Sequence, residues 1–309
     1  MDNIKKLGLT ALAGSMVATA ASSAELSASG SWALSYTSED DDAVNGQAFT
    51  AGNSVTFSGS GELDNGWTAS MSYELDDDTM DDYSLTLDMG DMGVFKYGES
   101  VSGSGIDIAS NMVPAVDTAI YSAVGTDTVS YGVARSAQDT GNLGYKLPLD
   151  GGITVSVEAA RNTAAGGTDN TYGVTYTGYD GLTVAAGVGS TATGGTAEVE
   201  SKTYGVKYAT GGFTFGVQKT DVDFEGTTED EDGIHMGVTY NVNDDFSIGY
   251  AIQETDFSGT SSDEEHSGFQ ASYSMGSISF SGRISKVDNM GGSASASDED
   301  KHVTMSIAF

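Results

Sequence analysis

The chain has 309 residues, 42 of them glycine and none cysteine, and carries 45 acidic against 12 basic residues, a net charge of −33. This acidic excess argues against a nucleic-acid partner, because phosphates need a basic surface. The lack of cysteine excludes disulfides, thiolate metal sites and cysteine nucleophiles. A hydrophobic fraction of 38% is low for a packed core of this size and indicates an interior that is not apolar.

The N-terminus has the pattern of an export signal. A short basic start with Lys5 and Lys6 precedes a weakly apolar run at 7–21, which ends in Ser-Ser-Ala at 22–24. This order predicts a secretory signal peptide, residues 1–24, cleaved after Ala24. The alternative, a membrane anchor, is disfavoured because the run is short and weak for a span. The sequence has no other long apolar run, which excludes a helical membrane protein.

From Glu25 onward, apolar and small polar residues alternate along the chain. In the first such segment Leu26, Trp32 and Tyr36 share one face and serines occupy the other. This period of two predicts β-strands, and it recurs in sixteen segments. The predicted strands are 25–37, 53–63, 67–75, 83–89, 94–98, 142–148, 153–160, 171–177, 182–189, 202–208, 213–220, 234–240, 246–254, 268–274, 278–286 and 301–309.

The connections between these strands alternate in length. Short turns such as Asp64-Asn65-Gly66 alternate with longer acidic segments. Short turns at one rim and long loops at the other are typical of outer-membrane barrels. The longer segments are predicted near 38–51, 161–170, 190–200, 221–233, 255–267 and 287–300.

The last strand ends on an aromatic residue, Phe309, with no following loop to cover its edge. Such an edge must pair, so strand 301–309 is expected to pair with strand 25–37 and close a barrel. The apolar faces of the strands collect aromatic residues near the strand ends, as in interfacial girdles. The lysines with outward parity lie near the long connections, away from the bilayer midplane, where a charge costs roughly 2–4 kcal/mol. They are Lys202, Lys219, Lys286 and Lys301.

One connection is much longer than the others. It runs from Glu99 to Gly141 and contains many apolar residues, among them Ile106, Val113 and Val116. An exposed loop this long and apolar is uncommon, so we expect it to fold inward and pack on other residues.

Together these features resemble the sixteen-stranded trimeric general porins of the Gram-negative outer membrane, over residues 25–309. The resemblance implies an all-β fold, a sixteen-stranded antiparallel transmembrane β-barrel whose long third loop folds inward and forms the constriction. It also implies a homotrimer in outer-membrane lipid and lipopolysaccharide, with Phe309 read as a signal by the outer-membrane assembly machinery. Outward-facing Gly30, Gly59 and Gly61 are compatible with a closely packed subunit interface.

The sequence departs from the family at the constriction. The family commonly sets loop carboxylates against an arginine cluster, but this chain has three arginines and no basic residue between 25 and 95. The residues that the alternation places on the inward face, together with the third loop, instead give a set of candidate pore-lining residues. The overall excess of acidic residues predicts a pore that prefers cations. The basic candidates are Lys96, Lys146, Lys207, Arg283 and, in the loop, Arg135. The acidic candidates are Glu62, Glu74, Asp88 and Glu158 on strands and Glu99, Asp107, Asp117, Asp127 and Asp139 in the loop.

The sequence offers no catalytic motif. His235, His266 and His302 lack metal-ligand spacing, and the acidic runs match no ordered Ca²⁺ loop. We therefore expect no enzyme, cofactor or metal. The leading hypothesis is a passive channel for small hydrophilic solutes. Alternatives are a substrate-specific outer-membrane channel, a secreted all-β adhesin or surface-layer protein without shared aromatic girdles, and, third, a barrel enzyme.

Overall fold

The computed structural model describes residues 25–41, 45–76, 79–99, 101–116, 142–162, 167–192, 198–225, 230–259 and 262–309. Within these ranges the chain forms sixteen strands, each antiparallel to its neighbours in one closed barrel. The strands are β1 (Glu25–Asp41), β2 (Asn45–Glu62), β3 (Thr68–Asp76), β4 (Thr79–Asp88), β5 (Val94–Gly98), β6 (Asn142–Leu149), β7 (Ile153–Asn162), β8 (Gly167–Tyr176), β9 (Leu182–Ala192), β10 (Glu198–Thr210), β11 (Phe213–Phe224), β12 (Glu231–Asn241), β13 (Phe246–Phe257), β14 (Glu264–Met275), β15 (Ile278–Asp288) and β16 (Ser297–Ala308).

Helical structure in the described residues is limited to short 3₁₀ segments. They are Gly90–Met92, Gly105–Ala109 and Met290–Gly292. No helix in these ranges is long and apolar enough to cross a membrane.

The first and last strands pair with each other and close the sheet. Trp32 lies opposite Ile307, and Tyr36 lies opposite Val303. The predicted pairing of the C-terminal strand with the N-terminal strand is therefore confirmed. Closure gives both strands a partner on each side, which removes the exposed edges that an open sheet would present.

The polarity of the two barrel faces is the reverse of that in a soluble protein. In β10, exposed Tyr204 and Val206 alternate with buried Ser201 and Thr203. Elsewhere the interior also buries polar side chains, such as Gln218. An apolar exterior with a polar interior is the pattern of a transmembrane barrel. It explains why the chain folds with so few hydrophobic residues.

The short turns follow their sequence signals. Gly66, in the turn between β2 and β3, has φ of 83°, a left-handed conformation that glycine adopts at low cost. In the same turn the side-chain oxygen of Asn65 accepts a hydrogen bond from the Trp67 amide at 3.2 Å.

The strands extend farther toward the long-connection rim than the sequence predicted. Asp40 lies opposite Asn45, where a loop was expected over 38–51. Likewise β11 reaches Phe224 and β12 begins at Glu231, inside the predicted loop 221–233. Those boundaries were wrong because they followed composition. Backbone pairing between antiparallel strands continues beyond the apolar belt and accepts acidic and small polar side chains.

Candidate functional site

The long connection between β5 and β6 contributes its described residues, 101–116, to the interior of the barrel. We call residues 101–116 the inner segment. Its amides donate to inward side chains of β7 and β8, Gly105 to Ser156 Oγ at 2.8 Å and Ile106 to Thr171 Oγ1 at 3.0 Å. This position agrees with the expected inward fold.

Farther along, the inner segment follows the wall to β11 and β14. The Met112 amide donates to Gln218 Oε1 on β11 at 3.2 Å, and the Val116 amide donates to Gln270 Oε1 on β14 at 2.7 Å. Both glutamines are almost fully buried. Since buried amides need partners, these side chains fix the height of the segment within the pore.

A row of inward-facing glycines lets the inner segment approach the wall. A Cβ on Gly187 would lie 2.7 Å from Ile106 Cγ1, and one on Gly205 would lie 2.6 Å from Met112. The same crowding recurs at other glycines beneath the segment: Gly144, Gly173, Gly216 and Gly237. Ile106, Met112 and Val113 are buried against this row, which accounts for the apolar composition of the connection.

The wall formed by β1–β5 has a different surface, rich in hydroxyl groups. Its inward residues pair across strands in two rows, Ser27–Ser58–Ser72–Ser84 and Ser60–Ser70–Thr86–Lys96. These residues line a cavity of about 360 Å³. We call them the hydroxyl wall. Because the inner segment lies against β6–β14, the hydroxyl wall borders the part of the lumen that the segment leaves unfilled.

Three of the predicted basic residues face the lumen at separate positions on its wall. Lys207 Nζ donates to the carbonyl of Asn111 at 3.2 Å. Lys146 Nζ lies 3.5 Å from where a Cβ on Gly103 would be. Lys96 lines the cavity of the hydroxyl wall. All three are partly exposed, so their ammonium groups can act on solutes in the pore.

Arg283 is inward but its charge is balanced locally. Arg283 Nη2 lies 2.7 Å from Asp300 Oδ2, and Nε donates to the same oxygen at 2.8 Å. Nη1 lies 3.3 Å from Nδ1 of His302. Asp300 was placed in a predicted loop, so the sequence did not reveal this buried pair.

Several predicted acidic residues have structural contacts. Asp88 Oδ1 accepts the Gly90 amide at 2.9 Å and so fixes a short turn. Asp107 accepts the Gly103 amide within the inner segment. The Glu99 carbonyl accepts the Asn142 side chain at 2.9 Å. Glu158 is buried beside Gly105.

The other acidic candidates face the lumen or fall outside the described chain. Glu62 is exposed near the short turns, and Glu74 is partly exposed on the hydroxyl-wall side. The candidates in the remainder of the third loop lie outside the described residues: Asp117, Asp127, Arg135 and Asp139.

A sequence profile of the family described as Gram-negative porin matches residues 8–290. The chain belongs to the Gram-negative porin family. It is thus a channel of the outer membrane that serves passive diffusion, as the sequence predicted. A search of curated proteins found no significant relative.

Solved structures share the fold of this porin. The anion-selective porin from Comamonas acidovorans aligns over 93% of this chain and 100% of its own, with 15% identity and a TM-score of 0.67. The trimer form of OmpT, an outer membrane protein of Vibrio cholerae, aligns over 93% and 99%, with 15% identity and a TM-score of 0.68. A mutant of the Rh. blastica porin aligns over 92% and 100%, with 14% identity and a TM-score of 0.64.

The exterior lysines of this porin lie where the sequence placed them, near the long-connection rim. Lys202 Nζ lies 3.3 Å from Asp223, Lys286 Nζ lies 2.7 Å from Asp288, and Lys219 and Lys301 also pair with carboxylates. Exposed pairs of this kind add little stability. They keep the outward charges of this rim compensated.

The neutral polar residues of the lumen were not among the residues predicted to line the pore, which were all charged. Gln218 Nε2 donates to Thr203 Oγ1 at 2.8 Å while its oxygen holds the inner segment. The sequence also did not reveal a buried ionisable pair, in which His266 Nε2 lies 2.6 Å from Glu264 Oε1. Their inward positions in the alternating patterns of β11 and β14 were the sequence signal that could have identified them. Within the described residues, no group of three or more metal-ligating side chains could hold a metal ion.

Proposed function

We propose that this porin prefers cations over anions and conducts small hydrophilic solutes without specific chemistry. The observation that carries the channel is the closed barrel with a polar lumen that the inner segment fills only in part. Cation preference is supported by the net charge of −33 and by the inward, partly exposed carboxylate of Glu74. Fixed wall charge sets the local ion concentration in a pore.

The hydroxyl wall supports a broad range of solutes. Each hydroxyl donates and accepts hydrogen bonds, so a row of them can replace part of the hydration of many small polar molecules. A substrate-specific channel would instead offer an aromatic track or a localised basic site. The lumen lysines are too few and too widely separated to form a basic site for anionic substrates.

We further propose a homotrimer surrounded by outer-membrane lipid and lipopolysaccharide. A trimer form of the similarly folded OmpT supports this assembly. The exposed aromatic and aliphatic side chains of the exterior, such as Tyr250 and Phe269, supply an apolar surface for lipid. The signal peptide at 1–24 and recognition of Phe309 by the assembly machinery remain part of the same proposal.

Planar-bilayer recording of purified protein tests the channel and its selectivity separately. We expect stepwise conductance increases and, in a KCl gradient, a reversal potential of the sign that marks cation selectivity. Protein that gives no steps would refute the channel. Steps with an anion-selective reversal potential would refute only the cation preference. The Comamonas acidovorans porin is described by its name as anion-selective.

A further inference from the structure

A cavity of about 790 Å³ lies between the end of the inner segment and the lumen wall. It is on the short-turn side of the segment. Its wall residues Lys207 and Thr214 lie between the covered glycines, Gly205 and Gly216, and the short turn that joins β10 to β11. Cavities of roughly 300–1,000 Å³ are typical of small-molecule sites. The cavity is therefore large enough to hold a solute that passes through the pore.

The lumen wall gives the cavity a polar side. Thr183 on β9 lies opposite Lys207 on β10. Thr214 on β11 lies opposite Thr239 on β12. Neighbouring strands are about 4.8 Å apart and alternate residues of one strand about 7 Å apart, a spacing comparable with that of hydroxyls around a hexose ring. Lys207 Nζ donates to the Asn111 carbonyl at 3.2 Å, and because an ammonium group has three protons it can also donate to a solute oxygen.

A second part of the lining is apolar. It consists of Val113, Pro114 and Ala115 of the inner segment and Leu182 at the start of β9. A Cβ on Gly216 would lie 2.6 Å from Pro114 Cδ, so the segment is held close to the wall at this point. The cavity thus offers apolar surface beside its hydrogen-bonding groups.

The short turn between β8 and β9 adds an aromatic ring and a carboxylate to the lining. Tyr179 is 60% exposed, and Asp180 next to it is also exposed. The Tyr179 carbonyl accepts the Leu182 amide at 3.0 Å, and Gly181 has a left-handed φ of 72°. Because these backbone features define the turn, the side chains of Tyr179 and Asp180 are available to a solute.

We propose that this cavity binds mono- and disaccharides, and we call it the sugar site. The inference rests on the proposed channel function and adds a class of solute that the pore retains briefly during passage. A sugar has hydroxyls around its edge and apolar C–H groups on its ring faces. The ring faces can pack on Tyr179 and Pro114. The hydroxyls can donate to Asp180 and accept from Lys207 and the threonines.

Other classes of solute fit the same lining less well. Asp180 repels an anion that Lys207 attracts, and Lys207 repels a cation that Asp180 attracts. An apolar solute would displace water from the threonines without replacing its hydrogen bonds. A neutral polyhydroxylated ring matches both the polar and the apolar parts of the cavity.

Saturation-transfer NMR of the purified porin measures such weak binding directly. The probe is glucose, and the porin is kept in a zwitterionic detergent, which has no sugar headgroup. We expect saturable binding of glucose. Sorbitol has the same number of carbons but no ring, so it should bind several-fold more weakly because it lacks a ring face and loses more conformational freedom. Glucuronate, which adds a carboxylate to the ring, should bind no more tightly than glucose.

Matched variants test the position of the sugar site. Asp180→Ala removes its carboxylate, and Asp244→Ala removes an exposed carboxylate from the short turn between β12 and β13. We expect about tenfold weaker glucose binding in Asp180→Ala, as for the loss of one hydrogen bond to a charged group, and no change in Asp244→Ala. Tyr179→Ala should also weaken binding, whereas Tyr172→Ala, on the exterior, should not.

The outcomes separate this inference from the channel itself. Absence of conductance steps in planar bilayers contradicts the proposed channel, on which the sugar site rests. Conductance steps without saturable glucose binding overturn the sugar site alone. Equal binding of sorbitol, or tighter binding of glucuronate, overturns the class of solute. Undiminished glucose binding in both Asp180→Ala and Tyr179→Ala overturns the assignment to this cavity.

Discussion

The ring of Phe309 lies over Gly30 on the first strand. A Cβ on Gly30 would stand 2.5 Å from Cε2 of the ring. The Gly30 amide donates to the Phe309 carbonyl at 2.7 Å, and the Phe309 amide donates to the Gly30 carbonyl at 2.9 Å. The two residues thus complete the seam that closes the barrel. Gly30 was considered for a subunit interface, but its open face is covered by the chain's own last residue.

Replacing Gly30 should weaken the seam. We expect Gly30→Ala to destabilise the barrel by about 1 kcal/mol, the low end of the cost of overpacking, because the new methyl group must displace the Phe309 ring, which is exposed and can shift. Urea unfolding of the folded protein in detergent measures this loss. Gly52→Ala is the matched control, since a Cβ on Gly52 would meet nothing within 4 Å. Equal losses in both variants would show that the ring contact has no special role.

Deletion of Phe309 should affect biogenesis more than conduction. The residue is 76% exposed and faces the lipid interface, where aromatic side chains anchor strands. We expect a large decrease in the amount of porin that reaches the outer membrane in cells. Protein refolded in detergent should keep nearly normal single-channel conductance. A parallel decrease in both measurements would contradict the division between assembly and transport.

Filling the glycine row should narrow the pore. Gly205→Leu places a side chain where Met112 now packs, so the inner segment must move away from the wall into the lumen. We expect lower single-channel conductance and a smaller size limit for neutral solutes in liposome swelling. Val206→Leu adds volume at the next residue, which faces outward, and should leave both values unchanged. Unaltered conductance in Gly205→Leu would mean that the segment does not limit the pore.

The buried Arg283–Asp300 pair should behave as a unit. Arg283→Met leaves the buried Asp300 carboxylate without its partner, and Asp300→Asn leaves the buried Arg283 guanidinium without its partner. Each single change should lower the free energy of unfolding by about 3–5 kcal/mol. The double variant should be less destabilised than the sum of the single variants. Unfolding midpoints of all three variants, with the exposed Lys286→Met as the control, complete the cycle. Additive single effects would contradict coupling between the two side chains.

The sequence by itself determined the architecture. Alternating residues and glycine turns located all sixteen strands and predicted that strand 301–309 pairs with strand 25–37. These features are local in the chain or follow from a general rule about strand edges, which is why one sequence was enough. The outward lysines were also placed correctly, because parity depends only on the strand register.

The tertiary structure decided how the lumen is arranged. Gly187, Gly205 and Gly237 lie on different strands, far apart in the chain, and only the closed barrel aligns them beneath residues 101–116. The pairing of β15 with β16 brings Asp300 onto Arg283. Parity gives the face of a residue but not its height along the pore. That height depends on the pairing register of neighbouring strands and on the path of the inner segment, which are set by contacts between distant residues.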